Sequence, residues 1–116
     1  MSIRAHGRIT VAAAGTPIRA TANETDPAKV VPCHSIMFQR NVSSETGRVY
    51  ILKGSTAGFA NVIAVLAAPT VGSTATGILA AATFVSHTSP NAFNLADFWV
   101  DVETNDDGCI VSTVRS

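Results

Sequence analysis

Between Leu95 and Val114 the sequence reads LADFWVDVETNDDGCIVSTV, an alternation that leaves little room for anything but β structure. Phe98, Val100 and Val102 fall on one side and Trp99 and Asp101 on the other, the period of two that marks a half-buried strand. Asn105-Asp106-Asp107-Gly108 supplies residues that tolerate positive φ, and Cys109 to Val114 runs out again rich in β-branched side chains. Two such runs predict a β-hairpin closed by Asp107-Gly108, with no helix across residues 96–114.

The rest of the chain agrees. Val, Ile and Thr number 34 of the 116 residues, whereas Leu, Glu, Lys and Met number 11. β-branched side chains suit a pleated surface and helix formers are scarce, so the expected class is all-β. The architecture expected is a single-domain antiparallel β-sandwich, jelly-roll-like, or a small barrel, with about seven short strands. One domain covers residues 1–116, with 1–8 as a candidate extended arm.

Ile3 to Ala14 places Arg8, Thr10 and Ala12 opposite Ile9, Val11 and Ala13, then turns at Gly15-Thr16-Pro17. Pro17 cannot donate to a central ladder, so a short edge strand over Ile18 to Thr21 is the expected sequel. Residues 23–29, NETDPAK, read as an exposed loop. Val30 to Gln39 is a second strong strand, with Pro32 at an edge or bulge. Its apolar residues on both faces, Ile36 and Phe38 against Met37, predict a sandwich interior. Arg48 to Lys53 is expected to pair with it across a loop of about seven residues. Val62 to Ala68 and Ile78 to Val85 are strand-sized and Ala-rich, and Leu79 to Ala82 has room for one helical turn.

Charged residues make up 14% of the chain, against roughly 25% in an ordinary soluble domain. Ala, Gly, Ser and Thr total 49. A small, neutral surface of that kind suits permanent burial against neighbours, and it also suits a sparsely charged monomer. Residues 1–60 hold seven Lys/Arg and three Asp/Glu, and residues 61–116 hold one and five. No dense basic block stands out, so no direct nucleic-acid contact is expected. No apolar run reaches the roughly 18 residues of a membrane span, so no membrane partner is expected. Met1-Ser2-Ile3-Arg4 has no apolar leader, which predicts synthesis in a reducing cytoplasm, with Cys33 and Cys109 as free buried thiols.

Few residues are spaced as catalytic or ligand-binding chemistry requires. His6, His34 and His87 lie in separate segments without metal-ligand spacing. Asp101, Glu103, Asn105, Asp106 and Asp107 superficially resemble a calcium loop, but the glycine comes too late and no terminal Glu follows; a solvated turn is expected. There is no GxSxG elbow. Gly54-Ser55-Thr56 and Gly72-Ser73-Thr74 lack the Lys of a phosphate-binding loop. The chain reads as a non-enzyme without cofactor or metal.

Three sets of residues carry a resemblance. Thr10 to Ile18 makes a short strand with a Gly-Thr-Pro turn. Met37-Phe38-Gln39 ends a strand ahead of Thr46-Gly47-Arg48-Val49-Tyr50. Leu95 to Val111 closes with Leu-x-Asp-hydrophobic-aromatic-Val-Asp, an acidic Gly turn and a strand. In this order the chain resembles a family of small tailed-bacteriophage virion proteins, departing from it in the longer, Ala-rich Gly54 to Val85. The resemblance implies a capsid decoration or cement protein at the virion surface, contacting the major capsid protein. It also implies self-association, a trimer before a dimer. Arg4, Arg8, Phe59, Val62 and Trp99 are the expected partner contacts, with much of the partner surface coming from Gly54 to Val85. The competing expectation is a tail- or fibre-associated module that binds a host glycan on exposed aromatics such as Trp99, Tyr50, Phe59 and Phe93.

Overall fold

The computed structural model describes residues 2–40, 47–53, 62–66, 81–85 and 93–115. Ten strands run through them: β1 (Ser2–Thr10), β2 (Ile18–Arg19), β3 (Pro32–Cys33), β4 (Ser35–Arg40), β5 (Val49–Lys53), β6 (Val62–Leu66), β7 (Ala81–Val85), β8 (Phe93–Asn94), β9 (Phe98–Val102) and β10 (Gly108–Arg115). Sheet A has the order β1-β10-β4-β7, sheet B the order β2-β9-β5-β6, and β3 pairs with β8 in a two-stranded ribbon. The expected all-β class holds. No helix among the described residues is long and apolar enough to cross a membrane.

The pairing is nested. The first strand pairs with the last, β2 with β9, β3 with β8, β4 with β7 and β5 with β6, every pair antiparallel. The described strands therefore follow one long hairpin centred between β5 and β6. Two further pairings, β10 with β4 and β5 with β9, join its arms into the two sheets.

That topology corrects the two expected hairpins. The strands at 98–102 and 108–115 form where alternation places them, but β9 lies in sheet B and β10 in sheet A. β4 and β5 are likewise split between the sheets. Each of these strands sends one row of side chains into the shared core, and the connection carries the chain from one sheet to the other so that both rows reach it. Asp106, at φ 69, takes the left-handed position of the 103–107 turn, where Asp107 N–H donates to Thr104 O at 3.2 Å. Gly108 is not part of the turn; it begins β10, where a Cβ would come within 1.8 Å of Ile9 O on β1.

Smaller departures follow from local chemistry. Leu95–Asp97 is a single 3-10 turn, capped by the Asn94 side chain on Ala96 N–H, inside a stretch expected to be free of helix. The 30–39 run breaks at His34 into β3 and β4, with Pro32 in the short ribbon. Residues 2–8 are not an arm but part of β1, paired along β10. The helical turn placed at Leu79 to Ala82 meets strand β7 from Ala81, and Leu79 lies outside the described residues.

Ile9, Ile36, Phe38 and Val111 from sheet A and Val49, Ile51, Phe98 and Val100 from sheet B belong to one buried cluster. Its hub is aromatic. Phe98 lies 5.5 Å from Phe84, 5.9 Å from Phe38 and 6.1 Å from Phe93, centroid to centroid, in the tilted and edge-on arrangements that aromatic quadrupoles favour. Cys33 and Cys109 are buried and unbridged. Burial pushes the Cys33 thiol up to about 11, which keeps it an inert thiol near neutrality.

Candidate interaction surface

The register of sheet A assigns its outward side chains row by row. Ile3, Val114, Ser35 and Val85 form one row across the sheet; Ala5, Ser112, Met37 and Thr83 the next; Arg8, Ile110, Gln39 and Ala81 the third. Their alternates, Ile9, Val111, Phe38 and Ile36, are buried at 0–1% exposure. Ile3, Val85 and Met37 by contrast stand 76%, 41% and 38% exposed. Arg8 is the one charged side chain among these twelve, and seven are apolar. A β-bulge between Ala5 and Gly7 resets the alternation, so that Ile3 and Ala5 stay outward while His6 turns in. Met37 is thus corrected from an interior to a surface position.

Sheet B presents a different face. Arg19, Trp99, Leu52 and Val62 lie in register across it, with Asp101, Tyr50 and Val65 alongside. The Arg19 guanidinium stands 5.1 Å from the centre of the half-buried Trp99 ring. Leu52 is buried yet outside the main core cluster. On the edge strand β6, Ile63 and Val65 are 44% and 50% exposed.

The five expected partner contacts do not form one patch. Arg8 lies on the outer face of sheet A, and Trp99 and Val62 on that of sheet B. Arg4 stands at the end of β1, its Nη2 on Glu24 Oε2 at 2.6 Å. Phe59 lies outside the described residues, as does most of the Ala-rich middle. Sequence reasoning missed Met37, Val85, Ile110 and Val114 as a shared surface. The signal was present as apolar residues at both phases of β4 and β10, but only the register shows which phase faces out.

The acidic stretch serves the fold. Asp101 is buried, and its Oδ1 accepts from Gly15 N–H and Val102 N–H, both at 2.8 Å. Asp107 is buried too, and its Oδ2 accepts from Gly47 N–H at 2.9 Å. Asn105 Oδ1 accepts from Ala14 N–H at 2.8 Å. Only Glu103, Asn105 and Asp106 are exposed as the expected solvated turn requires, while Asp101 and Asp107 fasten neighbouring loops. No group of His, Cys, Asp and Glu among the described residues is arranged to hold a metal.

One polar cluster is buried at the opposite end of β1. Glu24 carboxylate only accepts, so His6 Nδ1 donates to its Oε1 at 2.7 Å, and His6 Nε2 shares a hydrogen bond with Thr113 Oγ1 at 2.7 Å. The His6 hydrogen bond is the largest influence holding the Glu24 carboxyl below its ordinary range. Partial burial opposes it and Arg4 adds to it. Asn23 Nδ2 donates to His6 O and Arg8 O, both at 2.9 Å, so the free edge of β1 is occupied by the loop beside it.

No protein-family model, curated protein or solved structure matches the chain.

Proposed function

We propose that this chain is a bacteriophage virion structural protein, a capsid decoration or cement protein that stabilises the shell through contacts with the major capsid protein. The observation that carries this reading is the outer face of sheet A, with its single charge among twelve side chains. Such a face desolvates cheaply and suits a flat protein neighbour. The finer fold belongs to the same proposal: the two sheets pack as a jelly-roll β-sandwich. What supports it is the nested pairing and the shared core, since a long antiparallel hairpin rolled on itself produces these strand orders. Jelly rolls recur in viral capsid proteins, and the motifs at Thr10–Ile18, residues 37–50 and Leu95–Val111 resemble those of small virion proteins.

On this reading the protein works by surface complementarity, without chemistry, nucleic-acid contact or membrane. It is made in the host cytoplasm and resides at the capsid surface. It self-associates, as a trimer in preference to a dimer, so that several weak contacts act together. Each docked copy buries more than the roughly 1,000 Å² that separates specific from incidental contacts. The test is to purify particles, count copies per shell and compare shells with and without the protein under heat. Met37→Asp and Val85→Asp, both on outward side chains, are expected to lower occupancy while leaving the isolated protein folded. Copies confined to the tail, or shells equally robust without the protein, would overturn the assignment.

A second reading, a tail- or fibre-associated glycan-binding module, draws on Trp99 and Tyr50 sharing the outer face of sheet B. Arg19 over the Trp99 ring weighs against it, because a stacking sugar needs that ring face. A shift in the emission of this single tryptophan on adding host polysaccharide would favour the glycan reading.

A further inference from the structure

At the end of the molecule where β1 begins and β10 ends, a cleft of about 510 Å³ lies between the strands and the loop leading to β3. Its lining includes the cations Arg4, Lys29 and Arg115, the apolar Val30 and Val31, and the carboxylates Glu24 and Asp26. Glu24 gives one oxygen to Arg4 and the other to His6, and the exposed Asp26 has one oxygen on Ala28 N–H. Two of the three cations have no such partner. Neither Lys29 nor Arg115 makes a side-chain hydrogen bond or ion pair to another described residue, and both are exposed. Arg4 keeps its side chain 59% exposed while its Nη2 holds Glu24. Val30, 60% exposed, presents apolar surface beside these charges.

We infer that this cleft is a binding site for an acidic peptide segment in which carboxylates alternate with apolar side chains. Carboxylates would meet Lys29 and the forked Arg115 guanidinium, whose geometry suits them, and an apolar side chain would lie on Val30 and Val31. A peptide fits better than nucleic acid because the cations form one short group. No basic track continues from them, since the adjoining outer face of sheet A carries Arg8 alone. The inference rests on the cleft and not on the shell reading, so either can fail without the other.

The test uses the full chain, labelled with ¹⁵N, and an acetylated, amidated hexapeptide of alternating Asp and Leu. The expected result is a set of amide shifts at Arg4, Lys29, Val30, Val31 and Arg115, weakening as salt is added. The double variant Lys29→Ala, Arg115→Ala should bind about tenfold or more weakly. Its remaining amide spectrum should be unchanged, because neither side chain supports the fold. Lys29→Gln alone, a milder change, should weaken binding measurably. Equal binding of the Asn-Leu version of the peptide would overturn the inference. So would equal shifts from inorganic phosphate at the same concentration, tighter binding of oligothymidine, or shifts mapping elsewhere.

Discussion

Phe98 is the residue on which the two sheets depend most directly. It belongs to sheet B, yet its ring touches Phe38 and Phe84 of sheet A and Phe93 of the ribbon, with the Lys53 ammonium 4.9 Å from its centre. Phe98→Ala should therefore cost about 3–5 kcal/mol in urea denaturation, the range for a buried aromatic that leaves a cavity. Gly108 works by absence. A methyl group there would collide with the Ile9 carbonyl, which is backbone and cannot swing aside. Gly108→Ala should cost at least about 3 kcal/mol, at or beyond the upper end for overpacking, and should lower amide protection along β1 first. Glu24 carries the acid response. A carboxyl held below its ordinary value of 4.5 contributes stability that is present above that pH and lost as pH falls through its folded value. Glu24→Gln should lower the melting temperature near neutrality and remove part of the decline below pH 4.5. An unchanged acid limb in the variant would show that the His6–Glu24–Arg4 cluster is not its source.

At the scale of elements, the 103–107 connection shows how a turn can read as a hairpin and still not make one. Asn105, Asp106 and Asp107 have the chemistry of a tight reversal, and Asp106 does adopt positive φ. The turn is nevertheless held outward by its loop neighbours, through Asn105 to Ala14 and Asp107 to Gly47. Its two strands find better partners elsewhere: β9 between β2 and β5, β10 between β1 and β4. Replacing residues 104–107 by Asn-Gly would force β9 and β10 side by side and remove both from those positions. The expected outcome is loss of cooperative thermal unfolding. Retained cooperativity would show that the inter-sheet connection is dispensable.

Across the whole molecule, the nested pairing ties Ser2 to Arg115 and closes inward to the β5–β6 pair. Contacts this distant along the chain must overcome loop-closure entropy before they stabilise anything, so refolding should take milliseconds to seconds, as in other β-rich domains of high contact order. Stopped-flow tryptophan fluorescence would read this through Trp99, half-buried on β9. Microsecond refolding would contradict the long-range pairing. The same scale governs assembly. With one charge on the outer face of sheet A, the isolated protein should self-associate at tens of micromolar, and Met37→Asp should shift it towards monomer in sedimentation equilibrium. A wild type that stays monomeric at millimolar concentration would remove the self-association part of the proposal.

The strands themselves were legible in the sequence because alternation is a local property. Ile9 and Val11, and Phe98, Val100 and Val102, reveal their buried phase from spacing alone, and all five are core residues. So was the β-rich class; the turn was expected at Asp107-Gly108, whereas Asp106 takes the positive φ and Gly108 begins β10. What spacing could not decide was which strand lies beside which. Hydrogen-bonded neighbours here are separated by up to the length of the chain, and β9–β10 and β4–β5 look like hairpins until both sheets compete for their edges. The candidate surfaces share that limit. Met37 and Ile36 are both apolar, and only the register of β4 between β10 and β7 sends one to the surface. Likewise Arg4, Lys29 and Arg115 are scattered along the sequence and meet only because the first strand pairs with the last. Local side-chain pattern determined the elements; the tertiary competition for buried area and backbone partners decided their arrangement, and with it every surface on which function is proposed.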